Sequence, residues 1–338
     1  MSWFLFALIC LLGWGFADLF YKKSTDCNDR YSHLKIAVCV GLVMGICAFG
    51  FLPFSETLKD GSVSDFAVNA AKYLPASLGY IISMVIGYAG LRYLELSIVS
   101  PVQNASGALS AIAMSVFFVI TSRNVLESIS DETGFTFGAV SGIALLNNIL
   151  IVVGILAIVT GVILLAVVEQ KLSKGEAGLP NENRKYRFGA LALIFPILYC
   201  VFDTLGTAAD GIILNEESGL GLGEIDVIVL YGLTFFLAGI AAWIFLWIKE
   251  KKPYNPFAVK ERSKGIAAVC EEFGQIFYVY AMAKKPMLAA PMIASYCIVS
   301  VLLSRVFLKE RLRGGQYACV GVVIAGIVLL GVSEGLNA

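Results

Sequence analysis

Long apolar stretches separated by short polar ones recur along the whole chain. Ten of them reach the roughly 20 residues that a helix needs to cross a hydrocarbon layer about 30 Å thick. They lie near 2–21, 34–53, 73–91, 98–120, 148–168, 188–209, 226–248, 265–283, 287–307 and 315–333. Polar and apolar residues do not alternate within them, and each run is about twice the length of a barrel strand. A helix satisfies its own backbone amides in lipid. The pattern therefore predicts an all-α polytopic membrane protein with ten transmembrane helices. The first run has no basic stretch before it and is followed by Lys22 and Lys23 instead of a small-residue cleavage site, so it reads as a retained helix and not a signal peptide.

Three alignments along the chain point to a duplication. "ALICLLGWGFADLF" lies over "ALIFPILYCVFDTL" at an offset of 185, placing Trp14 on Tyr199 and Asp18 on Asp203. "SIVSPVQNASGALS" lies over "MLAAPMIASYCIVS" at an offset of 190, pairing Pro101 with Pro291, and "TGVILLAVVE" lies over "AGIVLLGVSE" at 165, pairing Gly161 with Gly326. Five helices per copy is an odd number, so the second copy enters the membrane upside down and the fold reads as two inverted five-helix repeats. The first repeat spans 1–168 with an insertion of about 25 residues near 121–147, a cytoplasmic linker follows at 169–187, and the second repeat spans 188–338. Gly134, Gly138 and Gly142 recur at helical spacing near the end of the insertion, a pattern suited to a short interfacial or packing helix. Gly41 and Gly45 form a GxxxG pair that predicts close helix packing.

Composition sharpens the class. The chain is 58% hydrophobic and 15% charged, against roughly 25% charged in a soluble domain. Its formal net charge of zero argues against nucleic acid as a partner. Of its 25 Lys and Arg, twenty lie in or at the edges of the loops after the odd-numbered runs and five in the others. Cytoplasmic loops carry that excess, so both termini are expected outside, in the inner cell membrane. The cysteines fall inside the apolar runs except Cys27, and neither a CxxC nor a Cys/His spacing occurs, so no metal site or cofactor is expected.

Ionisable residues inside a span cost about 2.5–3.5 kcal/mol on insertion scales and usually face a cavity or one another. Asp18 is four residues from Lys22, about 6 Å along a helix, so an interfacial position and a cavity position are both open to it. Asp203 lies seven residues, about 10 Å, before Asp210, which begins the acidic loop as read here. "CEEFGQIFYVY" carries the densest signal: Glu271, Gln275 and Tyr278 fall at i, i+4 and i+7 on one helical face, with Glu272 beside them. That stripe reads as lining water or a ligand, or as a structural hydrogen-bond cluster. Two adjacent carboxylates disfavour each other's charge, so proton binding and neutralisation of a cationic substrate are both expected roles.

Gln103, Asn104, Ser295 and Tyr296 punctuate the fourth and ninth runs, and Trp14, Tyr199 and Tyr80 add aromatic or hydroxyl contacts. Pro101 and Pro291 read either as backbone breaks or as first-turn prolines. The sequon at Asn104 lies inside a helix and is accidental.

"YVYAMAKKPMLAAPMIASYCIVSVLLSRVFLKERLRGGQYACVGVVIAGIVLLG" (278–331) resembles the closing helices of the drug/metabolite transporter superfamily in its EamA-like branch, and "GYAGLRYLELSIVSP" (87–101) resembles the matching first-half stretch. The resemblance implies ten helices around a central cavity with the fifth and tenth peripheral. It also implies a secondary transporter, with or without proton coupling, for a small polar metabolite or amphipathic organic compound. A lipid or lipid-carrier flippase shares the fold. An intramembrane enzyme would need a nucleophile with its base or a clustered metal site, and the single histidine, His33, stands beside charged residues in a loop; no catalytic residue is assigned. The expected partners are a small-molecule substrate and membrane lipid, and a homodimer is compatible with the sequence.

Overall fold

The computed structural model describes residues 2–26, 28–121, 130, 133, 135–136, 142–175, 194–215, 222–309 and 314–337. Cys27, most of the insertion at 121–147 with Gly134 and Gly138, and much of the linker at 169–187 lie outside the described residues. So does the start of the run expected from 188. Among the described residues every long element is a helix and no strand occurs.

The principal helices are α1 (Trp3–Ser24), α2 (Ser32–Phe51), α3 (Val63–Gly90), α4 (Leu96–Gln103), α5 (Ser106–Thr121) and α6 (Gly142–Gly175). They continue as α7 (Ile194–Ile213), α8 (Glu224–Glu250), α9 (Arg262–Lys284), α10 (Pro286–Ala294), α11 (Tyr296–Leu303) and α12 (Gly314–Asn337). Eight described stretches are long and apolar enough to cross a membrane. The expected ten is not reached on that measure for two reasons. Helix α9 carries charge and amide groups through its middle, and the run expected as one helix over 98–120 is two helices, α4 and α5.

The expected run 287–307 is likewise broken. Pro101 and Pro291 sit inside α4 and α10, beyond the first turn, which corrects the first-turn reading. A proline lacks the N–H for the ladder and its ring crowds the carbonyl four residues back. The helices stop three to four residues later, at Asn104 and Ser295. There the chain turns with short-range bonds: the Gly107 amide donates to the Asn104 carbonyl at 3.3 Å and the Ser295 amide to the Met292 carbonyl at 3.1 Å. Asn104 also turns its side-chain amide onto the Ser100 carbonyl at 2.8 Å.

Each helix of the first half except α4 takes its principal contact from the second half. α1 packs on α9, α2 on α8, α3 on α7, α5 on α10 and α6 on α12. All five of these contacts run through glycine. A Cβ on Gly41 would come 2.7 Å from the Phe235 carbonyl oxygen and 2.9 Å from the Gly239 Cα, and one on Gly13 would come 3.2 Å from the Gly274 backbone. Only the missing side chains allow backbones so close.

Helix α3 begins ten residues before the expected start at 73. The Ser62 side chain accepts from the Asp65 amide at 3.3 Å and Asp65 accepts from the Ser62 amide at 2.9 Å, a capping box that starts the helix ahead of its apolar part. Nearby, Asp226 in the first turn of α8 is 2% exposed. It accepts the Ser55 hydroxyl, the Thr57 amide at 3.1 Å and the Thr57 hydroxyl at 2.6 Å. This knot ties α8 to the α2–α3 connection. Replacing Asp226 with alanine leaves the buried Ser55 hydroxyl and the half-buried Thr57 donors without this acceptor and is expected to cost about 1–3 kcal/mol. A thermal melt in detergent checks this, and an unchanged midpoint would remove the knot from the list of stabilising contacts.

Candidate functional site

Helical periodicity brings the polar positions to one place. Trp14, Asp18 and Tyr21 stand at i, i+4 and i+7 on α1; Tyr80, Met84 and Tyr88 follow a four-residue spacing on α3, as do Tyr199, Asp203 and Thr207 on α7. Glu271, Gln275 and Tyr278 complete the set from α9. All of these line a single central cavity, closed by Tyr231 of α8, by Gln103, Asn104 and Ser106 at the α4–α5 break, and by Tyr296 at the α10–α11 break. The space open to the centre of a water molecule is about 50 Å³. At roughly 10–15 Å³ for each water, that is room for only a few ordered molecules.

Of the residues singled out in the sequence, Glu271, Gln275, Tyr278, Asp203, Asp18, Trp14, Tyr199, Tyr80, Gln103, Asn104 and Tyr296 line this cavity. Glu272 and Ser295 do not, and the expectation for both is corrected. Successive helical residues point about 100° apart, so Glu272 turns away from Glu271 toward Cys47 of α2. Ser295 sits at the break itself and turns its hydroxyl onto the Met292 carbonyl.

The two repeat-related aspartates are held differently. One oxygen of Asp18, Oδ2, accepts the hydroxyls of Ser100 and Ser300, each at 2.7 Å. A single carboxylate oxygen thus joins α4 to α11, one segment from each broken run. Asp203 Oδ2 accepts one hydroxyl, that of Ser106, at 2.6 Å. Asp18 lines the cavity. Asp210, read as the first residue of a loop, is fully buried within α7, which runs on to Ile213, and stands beside the hydroxyls of Tyr73, Tyr80 and Tyr278.

The aromatic wall is continuous. Trp14 donates to the Glu271 carbonyl at 3.2 Å, stacks on Tyr278 with ring centres 5.2 Å apart and meets Tyr296 edge-on at 5.6 Å. The Tyr80 hydroxyl bonds those of Thr207, at 3.0 Å, and Tyr278. Tyr88 donates to the Tyr21 hydroxyl at 3.3 Å. Tyr21, Tyr88, Tyr231, Thr207 and Ser106 were not singled out in the sequence. The available signal was spacing: Tyr21 falls three residues after Asp18 and Tyr88 eight after Tyr80, each on an already marked face.

Among the described residues no three His, Cys, Asp or Glu are grouped so as to hold a metal ion. The site can take up charge, donate amide hydrogens and stack on a flat or cationic group.

Residues 218–332 match the family model of the EamA-like transporter family, a branch of the drug/metabolite transporter superfamily. A solved structure titled "Crystal structure of protein" is similar with a TM-score of 0.54 at 12% identity, covering 99% of each chain, a likeness of fold alone. No curated protein matches the chain. The family match covers 115 of the 338 residues, all in the second half of the chain.

Proposed function

We propose that the chain is a secondary transporter that moves a small polar or amphipathic organic compound through the central cavity by alternating access. Ten membrane-crossing segments, two of them broken, form two inverted five-helix repeats in this reading. The crosswise pairing supports it: α1 on α9 exchanges with α3 on α7 and α5 on α10 with α11 on α4 under a two-fold operation, while α2 on α8 and α6 on α12 map onto themselves. The gathering of Lys and Arg in alternate loops supports both termini outside.

One observation carries the mechanism. The cavity lies where both broken runs change direction, and the two repeat-related carboxylates hold those runs through serine hydroxyls. Broken helices at a repeat interface are where transporters place their substrates. In this mechanism the substrate competes with the serines for Asp18 and Asp203, and exchange of these bonds loosens one end of the pathway while the other stays closed. The family is one of transporters, in keeping with a non-enzymatic role.

The test is exchange in liposomes with Asp203→Asn. An amide oxygen still accepts the Ser106 hydroxyl, so the variant is expected to fold and melt like the parent, with exchange lowered about tenfold or more, the equivalent of at least 1.4 kcal/mol in the transport barrier. Exchange at the parental rate would remove Asp203 from the pathway.

A further inference from the structure

The cavity carries three carboxylates, Asp18, Asp203 and Glu271, and among the described residues no Lys, Arg or His lines it. None of the three has an ion-pair partner among the described residues. Carboxylates removed from bulk water are ordinarily paired, because an unpaired charge there is costly. A second observation is independent of that charge. The side-chain amide nitrogens of Gln275 and Gln103, residues 2% and 4% exposed, have no hydrogen-bond partner among the described residues. Both residues line the same cavity. An amide nitrogen only donates, so two buried donors stand ready for an oxygen that the protein itself does not supply.

The walls add a third element. The stacked pair Trp14 and Tyr278, with Tyr21 packed on Tyr88 at a ring separation of 4.7 Å, presents aromatic surface to the carboxylates' neighbourhood. Aromatic faces attract cations, and most strongly where water is excluded.

We propose that the ligand of this cavity is a small organic cation that also carries an oxygen acceptor, of the amino-alcohol or quaternary-ammonium-alcohol class. Its charge supplies the counter-ion missing from Asp18, Asp203 and Glu271, and its oxygen takes the amide hydrogens of Gln275 or Gln103. An anion would meet three carboxylates and no base. A neutral polyol would satisfy the amides and leave the carboxylates without a counter-charge. The narrow space limits the ligand to a few heavy atoms in this conformation. This inference rests on the transporter reading for the purpose of the site, and its chemistry is tested separately.

The experiment is calorimetric titration of the purified full-length protein in detergent, with no gradient present. Four matched probes are used: choline, tetramethylammonium, glycerol and glycolate. Choline is expected to bind saturably and about tenfold more tightly than tetramethylammonium, which lacks the oxygen. Glycerol and glycolate are expected to give no saturable heat. Glu271→Gln and, separately, Asp18→Asn should each weaken choline about tenfold, whereas Glu272→Gln, facing Cys47, should stay within about twofold. Melting temperatures verify that each variant is folded, and either cavity variant suffices.

Tighter binding of glycerol or glycolate than of choline would overturn the proposal. So would choline binding that survives both cavity variants, or the absence of saturable choline binding. Radiolabelled choline counterflow in liposomes separates the two readings: binding without counterflow refutes transport and leaves the ligand class standing. Counterflow of a neutral or anionic solute by a protein that does not bind choline does the reverse.

Discussion

Gly274→Leu is expected to leave little folded protein, and Gly274→Ala to cost about 1–3 kcal/mol through overpacking. A Cβ at this position would stand 2.3 Å from Trp14 Cδ1 and 2.6 Å from its Nε1. The indole cannot step aside freely, since it is held by the Glu271 carbonyl, stacked on Tyr278 and met edge-on by Tyr296. Alanine gains about 1 kcal/mol over glycine in helix propensity, so the sign depends on which effect is larger, and the fixed ring makes it the clash. Gly265 in the same helix is the control: nothing stands within 4 Å of its would-be Cβ, and Gly265→Ala should be neutral or slightly stabilising. Gel filtration and thermal melts in detergent read both. If Gly274→Ala melted with the parent and kept its tryptophan emission, the crossing of α1 and α9 at this point would be wrong.

The second large effect is at Asp18, where two substitutions separate architecture from charge. Asp18→Ala removes the acceptor of Ser100 and leaves Ser300 only the longer bond to the Tyr296 carbonyl at 3.3 Å; both serines are fully buried. An unpaired hydroxyl costs about 1–3 kcal/mol, so a marked loss of stability is expected together with loss of transport. Asp18→Asn keeps an oxygen with two lone pairs at the junction and discards only the charge. Its stability should return nearly to that of the parent while counterflow stays at least about tenfold down. Full counterflow by Asp18→Asn would show that the junction needs an acceptor and not a carboxylate.

Much of this architecture was legible in the sequence because lipid imposes simple rules. Apolar runs of fixed length gave the helices, and rare polar residues inside them marked the faces that meet. The stripe of Glu271, Gln275 and Tyr278 was readable for that reason. Glu272 was grouped with it on adjacency, although residues side by side on a helix cannot share a face. The breaks at Asn104 and Ser295 were announced only by Pro101 and Pro291, and local sequence does not decide between a tolerated proline and a broken helix; the packing around it does. Tyrosines 21, 88 and 231 escaped because tyrosine is also the ordinary residue of membrane interfaces. The shared grip of Asp18 on two serines 200 residues apart is a tertiary fact. No periodicity within one helix contains it.

The crosswise pairing of helices has a consequence for how such a chain is made. A ribosome delivers α1 through α6 to the membrane before the helices that cover them exist. Until α7 to α12 follow, Asp18 lacks its Ser300 partner, and Gly13 and Gly41 lack the Gly274 and Gly239 backbones they pack on. The first half is thus a waiting half, inserted yet unfinished. Its completion depends on the arrival of the rest of the same polypeptide more than on any contact it can form alone.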